Sequence, residues 1–87
     1  MSSDLLIKIQ EENEKVLKLL QGRKIIKKKE FANNQYLTRL SIPNTVEYIE
    51  ESAFNNCIRL ESVIIPNSVK NIDNFAFNKC INLFDII

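Results

Sequence analysis

Histidine and tryptophan are missing from this chain of 87 residues, which holds 1 glycine, 2 prolines and 2 cysteines. Without histidine, neither a Ser-His nor a Cys-His nucleophile pair can be assembled. A single glycine leaves no Gly-rich loop to cradle a phosphate. Two cysteines with no C-x-x-C spacing and no histidine give no zinc-ligand set. The scattered carboxylates lie outside any apolar stretch that would raise their pKa for acid–base work. Charge of one sign is also lacking, because 12 Lys and Arg against 11 Asp and Glu leave a formal +1. Nothing global therefore points to nucleic acid. No apolar run approaches the ~20 residues of a membrane span. Asp4, Lys8, Glu11, Glu12 and Glu14 interrupt any apolar core of a secretory signal. These absences predict no catalytic residue, no metal and no cofactor, and a cytoplasmic protein with reduced cysteines.

With 45% hydrophobic and 26% charged residues, what remains is the composition of one small globular domain. A chain so poor in glycine and proline must turn by other means. Asparagine is the expected turn former, since its side chain bonds nearby backbone and tolerates left-handed geometry. Asn33, Asn34, Asn55, Asn56, Asn67, Asn74 and Asn78 are assigned to turns on that basis.

The dominant signal is self-similarity. Phe54-Asn55-Asn56-Cys57-Ile58-Arg59-Leu60 is echoed by Phe77-Asn78-Lys79-Cys80-Ile81-Asn82-Leu83, an offset of 23 (77 − 54 = 23). The same offset relates Ile42-Pro43-Asn44 to Ile65-Pro66-Asn67, Val46 to Val69, Ile49 to Ile72 and Ala53 to Ala76. A degenerate copy stands one step earlier, with Ile26, Phe31, Leu37 and Leu40 preceding Ile49, Phe54, Leu60 and Val63. Within a unit, Leu60, Val63 and Ile65 read as a short strand ended by Pro66, which has no N–H for a ladder. Val69 and Ile72 point inward from a second extended segment, and a turn over Asn74 to Asn78 drops Ala76 and Phe77 into the core. Such units cannot bury an apolar face singly, but stacked copies share one core.

The run Ile42-Pro43…Val46…Ile49…Ala53-Phe54…Cys57…Leu60, matched again by Ile65-Pro66…Val69…Ile72…Ala76-Phe77…Cys80…Leu83, resembles the BspA-like class of leucine-rich repeats. The resemblance covers about residues 26–87, which makes about 2.5 copies over residues 23–87. It departs in the first repeat, where Glu30 stands for Ala and Asn34 for Cys. It implies an α+β repeat: a short right-handed leucine-rich-repeat-like solenoid with parallel short strands, used for protein or surface binding without catalysis.

Residues 3–21 read as an amphipathic helix, capped by Ser2 or Ser3 and stopped by Gly22, and residues 1–22 form the segment that caps the solenoid. Leu6, Ile9, Asn13, Val16 and Leu20 follow a 3, 4, 3, 4 spacing. One reading is a coiled-coil seam with Asn13 fixing register; the other is a lid over the open end of the first repeat. Cys57 and Cys80 occupy equivalent positions in adjacent repeats. Strands ~4.7–4.9 Å apart permit a disulfide, and the alternative is two buried thiols acting as small hydrophobes. Arg23, Lys24, Lys27, Lys28 and Lys29 form a basic run. It reads either as an anionic contact or import signal, or as a lysine-protected edge around an inward Ile26.

Equivalent positions form ladders. Leu40, Val63 and Ile86 point inward, as do Ile42 and Ile65. Arg39, Ser62 and Asp85, and beside them Ser41, Ile64 and Ile87, form outward columns expected to contact a protein partner. The expected function is a non-catalytic protein–protein interaction module. Self-association is expected through the helix seam (Leu6, Ile9, Asn13, Val16, Leu20) or through Phe84 and Ile86 of the last repeat, giving a homo-oligomer. The alternatives are an assembly unit that stacks end to end and, third, a binder of nucleic acid or an anionic surface through residues 23–29.

Overall fold

Helix α1 (Ser3–Leu20) precedes six short strands: β1 (Ile25–Ile26), β2 (Arg39–Ser41), β3 (Tyr48–Ile49), β4 (Ser62–Ile64), β5 (Asn71–Ile72) and β6 (Asp85–Ile86). The computed structural model describes residues 3–87, so the expected cap at Ser2 lies outside the described residues. Odd-numbered strands make one sheet in the order β1-β3-β5, and even-numbered strands make a second in the order β2-β4-β6. Every pairing is parallel and joins residues one repeat apart: Ile26 with Ile49 and Ile49 with Ile72, Leu40 with Val63 and Val63 with Ile86. A parallel neighbour requires a long return path, and each strand's return path here includes a strand of the other sheet.

The helix forms where the apolar spacing and its ends agree. Asp4 lies in its first turn and Lys18 in its last, each complementing the helix dipole. Gly22 follows in the left-handed region at φ 75°, a conformation that suits glycine at a helix terminus. Of the apolar spacing, Val16 and Leu20 are buried against the repeats.

Stacking extends beyond the strands. Phe31, Phe54 and Phe77 lie one above the next, with ring centroids 5.3 Å apart and planes within 9° and 3° of parallel. The turns ladder as well: the N–H of Phe31 donates to the Ala53 carbonyl and that of Phe54 to the Ala76 carbonyl, both at 2.8 Å. Leu37, Leu40, Val46, Ile49, Phe54, Leu60 and Val63 fill the shared interior. Each contributes about 1.5–3 kcal/mol by leaving water.

Two expectations are corrected. Asparagine does not supply most of the left-handed geometry. Positive φ recurs at two positions per repeat, Lys29, Ser52 and Phe75 at one, Asn33, Asn56 and Lys79 at the other. Only Asn33 and Asn56 are asparagines. The remaining positions lie in the same turns, and those of Lys29 and Ser52 are held there by N–H bonds to Glu51 and Asn74 of the next repeat. Secondly, Ile72 and Ile86 occupy inward positions but are not buried. Along one column exposure runs 0% at Ile26, 1% at Ile49 and 42% at Ile72; along the other it runs 4% at Leu40, 0% at Val63 and 60% at Ile86. Among the described residues, the outermost repeat has its apolar side covered from within only.

Candidate interaction surfaces

The first repeat has no preceding repeat to receive its orphan amides, and side chains take that role. In the second repeat the N–H groups of Glu61 and Ser62 donate to the Thr38 carbonyl, and in the third those of Phe84 and Asp85 donate to the Glu61 carbonyl. In the first, the N–H groups of Thr38 and Arg39 donate to Asn13 Oδ1 at 3.0 and 3.3 Å. Asn13 Nδ2 in turn donates to Thr38 Oγ1 at 2.8 Å. The Asn13 amide thus stands where a peptide group of a preceding repeat would be.

The two departures from the repeat pattern belong to the same end. Glu30 Oε1 accepts from the Lys27 N–H, whose counterpart Glu50 donates to the Ile26 carbonyl in the next repeat. It also meets Arg23 at 2.6 Å. Burial opposes the Glu30 charge, but the bonds from Arg23 and from the Lys27 N–H, with their charges, outweigh it and hold the carboxyl below its ordinary value. Asn34 stands in the cysteine column. Cys57 and Cys80 each donate their thiol to a carbonyl of the repeat before, Phe31 and Phe54 respectively, at 3.2 Å. Position 34 has no such carbonyl. Its side chain instead accepts from the N–H groups of Tyr36 and Leu37 and donates to Glu12 of the helix at 2.7 Å.

This capping decides the fate of the helix seam. Val16 and Leu20 are buried in the chain's own core and Asn13 is bonded to Thr38, so these three are not free to form a seam with a second helix. Ile9 is half-buried and Leu6 exposed. A shallow cleft of about 550 Å³ runs between the helix and the first turn, reaching Glu12, Lys15 and Tyr36. Its carboxylates Glu12 and Glu30 are already engaged with Asn34 and Arg23.

The outward columns are brought together as expected. Arg39, Ser62 and Asp85 are in register on the second sheet, as are Ser41 and Ile64. Ile87 continues the second column, since its carbonyl accepts from Ile65 and its N–H donates to Val63. Five of the six are exposed and Ser62 is half-buried. Phe84 and Ile87 of the outermost repeat are 80% and 70% exposed, and Ile72, Phe75, Ile81 and Ile86 are exposed beside them.

The basic run divides. Arg23 turns inward to Glu30, and Lys24 shares Glu47 with Lys70, at 3.9 and 3.0 Å. That alternating ladder of Lys24, Glu47 and Lys70 was not read from the sequence, although the offset of one repeat marks it. Lys27, Lys28 and Lys29 are exposed around the fully buried Ile26. The cysteines are free. Cys80, followed by burial, pushes the Cys57 thiol well above its ordinary value. Among the described residues no cluster of His, Cys, Asp and Glu could hold a metal. No helix among them is long and apolar enough to cross a membrane.

Comparison with curated proteins and with solved structures finds no match. Residues 13–87 match the family described as BspA type leucine rich repeat region (6 copies), a span that begins at Asn13, where the capping of the first repeat begins. The stacked Phe, Cys and Ile columns and this match agree: the chain belongs to the BspA-type leucine-rich repeat family.

Proposed function

We propose that this chain is a non-catalytic protein–protein interaction module, a short right-handed solenoid that self-associates through its outermost repeat. Leucine-rich repeats generally mediate interaction between proteins, which supports the general part of the reading. The observation that carries the specific part is the loss of burial along equivalent columns, from Ile49 to Ile72 and from Val63 to Ile86. Ile72 and Ile86 occupy core positions of the repeat and are exposed. An apolar face of this kind, edged by strands β5 and β6, which have no outer neighbour among the described residues, is a template for pairing.

The outward columns Arg39, Ser62, Asp85 and Ser41, Ile64, Ile87 form the second contact surface, for a protein partner other than this chain. Their mixed charge and the exposed Ile64 suit a modest polar-rimmed contact. A cytoplasmic setting accords with two free cysteines in adjacent repeats.

Light scattering of residues 1–87 over a micromolar concentration series tests the proposal. Association that rises with concentration, and is lost in Ile86→Lys, is expected. A monomer at every concentration overturns it.

A further inference from the structure

One column of the stack carries an oxidisable pair. Cys57 and Cys80 stand one repeat apart, three residues after Phe54 and Phe77, whose stacked rings lie 5.3 Å apart. The backbone beside them is fixed as well, because the Asn56 N–H donates to the Asn78 carbonyl at 2.7 Å. Layers at the ~4.7–4.9 Å spacing of neighbouring strands bring two Cα atoms within the ~4.4–6.8 Å that a disulfide spans. The column continues with Asn34, which cannot pair with Cys57. Both thiols are free, and each donates only to a carbonyl, of Phe31 and of Phe54, at 3.2 Å. Those carbonyls also accept the N–H groups of Asn34 and Cys57, so turning the sulfurs toward each other orphans neither.

We propose that Cys57 and Cys80 form a redox latch, a reversible disulfide that staples the second repeat to the third when a peroxide is present. Cys57 is buried and Cys80 half-buried, so Cys80 meets the oxidant first. The bond with the neighbouring Cys57 thiol holds the Cys80 pKa at about 7, so its thiolate is present at neutral pH. That thiolate attacks one peroxide oxygen and the O–O bond breaks. Hydroxide leaves and takes up the proton that Cys80 released, giving water and a sulfenic acid on Cys80. The Cys57 sulfur then attacks the Cys80 sulfur. The S–O bond breaks, and hydroxide departs with the Cys57 proton as a second water. Two thiols are oxidised to one disulfide, and one peroxide is reduced to two waters. In-register neighbours hold their Cβ atoms a full layer apart, further than the ~3.5–4.5 Å of a relaxed disulfide. Closing the bond therefore draws the two turns together under strain, and a strained disulfide is readily reduced by thiols. The bridge is thus a switch rather than a permanent staple, as suits a compartment that keeps thiols reduced.

The test treats the full chain with hydrogen peroxide at neutral pH and follows it by intact mass, peptide mapping and amide hydrogen exchange. The latch predicts the mass of one chain less two hydrogens, with Cys57 joined to Cys80, and return of both thiols in millimolar glutathione. The Phe54 and Asn56 amides cross between the two repeats, and in the oxidised chain they should exchange at least about tenfold more slowly. Cys57→Ser, with circular dichroism confirming its fold, should instead gain oxygen at Cys80 and show no slowing. Oxygen accumulating on Cys80 of the wild type, or a disulfide formed only between chains, would overturn the pairing. A bridge that glutathione leaves intact, or that leaves the exchange of Phe54 and Asn56 unchanged, would overturn the switch.

Discussion

Asn13 Oδ1 accepts the backbone N–H groups of Thr38 and Arg39, and Asn13 Nδ2 donates to the Thr38 hydroxyl, so one side-chain amide replaces a missing layer of backbone. The heptad-like spacing offered two roles for this asparagine, register in a coiled coil or part of a lid. The bonds place it in the lid. A leucine at this position would improve a coiled-coil seam, so Asn13→Leu separates the roles. It should destabilise the chain by about 1–3 kcal/mol, the cost of partly buried donors left without acceptors. Urea unfolding measures this; a more stable Asn13→Leu chain would refute the capping role.

The aromatic column predicts unequal losses from one chemical change. Phe54 is buried between Phe31 and Phe77, whereas Phe77 is half-buried. Phe54→Ala should cost about 3–5 kcal/mol, close to the whole stability of a small domain. Phe77→Ala should cost clearly less, because solvent already reaches that ring. Thermal unfolding of the two variants side by side gives the comparison.

Acid should weaken the cap of the first repeat. The Glu30 pKa is lowered in the fold, so its contribution is present above the ordinary value of 4.5 and is lost as pH falls through and below that value. Glu30→Gln removes the charge but leaves an oxygen for the Lys27 N–H. The stability difference between wild type and Glu30→Gln should therefore be largest near neutral pH and shrink below 4.5. A pH series of urea midpoints shows it, and a difference independent of pH would remove the charge from the account.

The two thiols should differ in reactivity. Only one of the pair can ionise readily. The neighbouring Cys57 thiol lowers the Cys80 pKa from 9.0 to about 7, against the opposing effect of burial. The thiolate is the nucleophile. Iodoacetamide at neutral pH should add one carbamidomethyl group per native chain, at Cys80, with Cys57 modified only on unfolding. Intact-mass and peptide analysis reads both sites.

Left-handed backbone at Lys79 offers a stabilising substitution. Its φ is 61°, and the residues one and two repeats earlier are Asn56 and Asn33, joined by a bond from Asn56 Nδ2 to Asn33 Oδ1 at 2.9 Å. Lys79→Asn should raise stability by about 0.5–1 kcal/mol, because asparagine tolerates this region better than lysine. Thermal denaturation measures the gain.

The offset of 23 residues made the repeat legible, since an echo of Phe, Cys, Ile and Leu at equal intervals has few structural solutions. It gave the registers Leu40 to Val63 to Ile86 and Ile26 to Ile49 to Ile72 that the two sheets show. The degenerate first repeat was harder to read. Glu30 and Asn34 appear in the sequence as failures of the pattern, and they become caps only when the helix and the first turn meet.

Periodicity by itself determined which residues stand above one another, because a stack of equal units forces residues one repeat apart into contact. What the tertiary structure decided was which surfaces remain free. Asn13, Val16 and Leu20 are consumed by the chain's own first layer, while Ile72 and Ile86 stay open. Along the column of Ile26, Ile49 and Ile72 the residue type is the same; burial there depends on how many layers lie on either side, and that is a property of position in the stack.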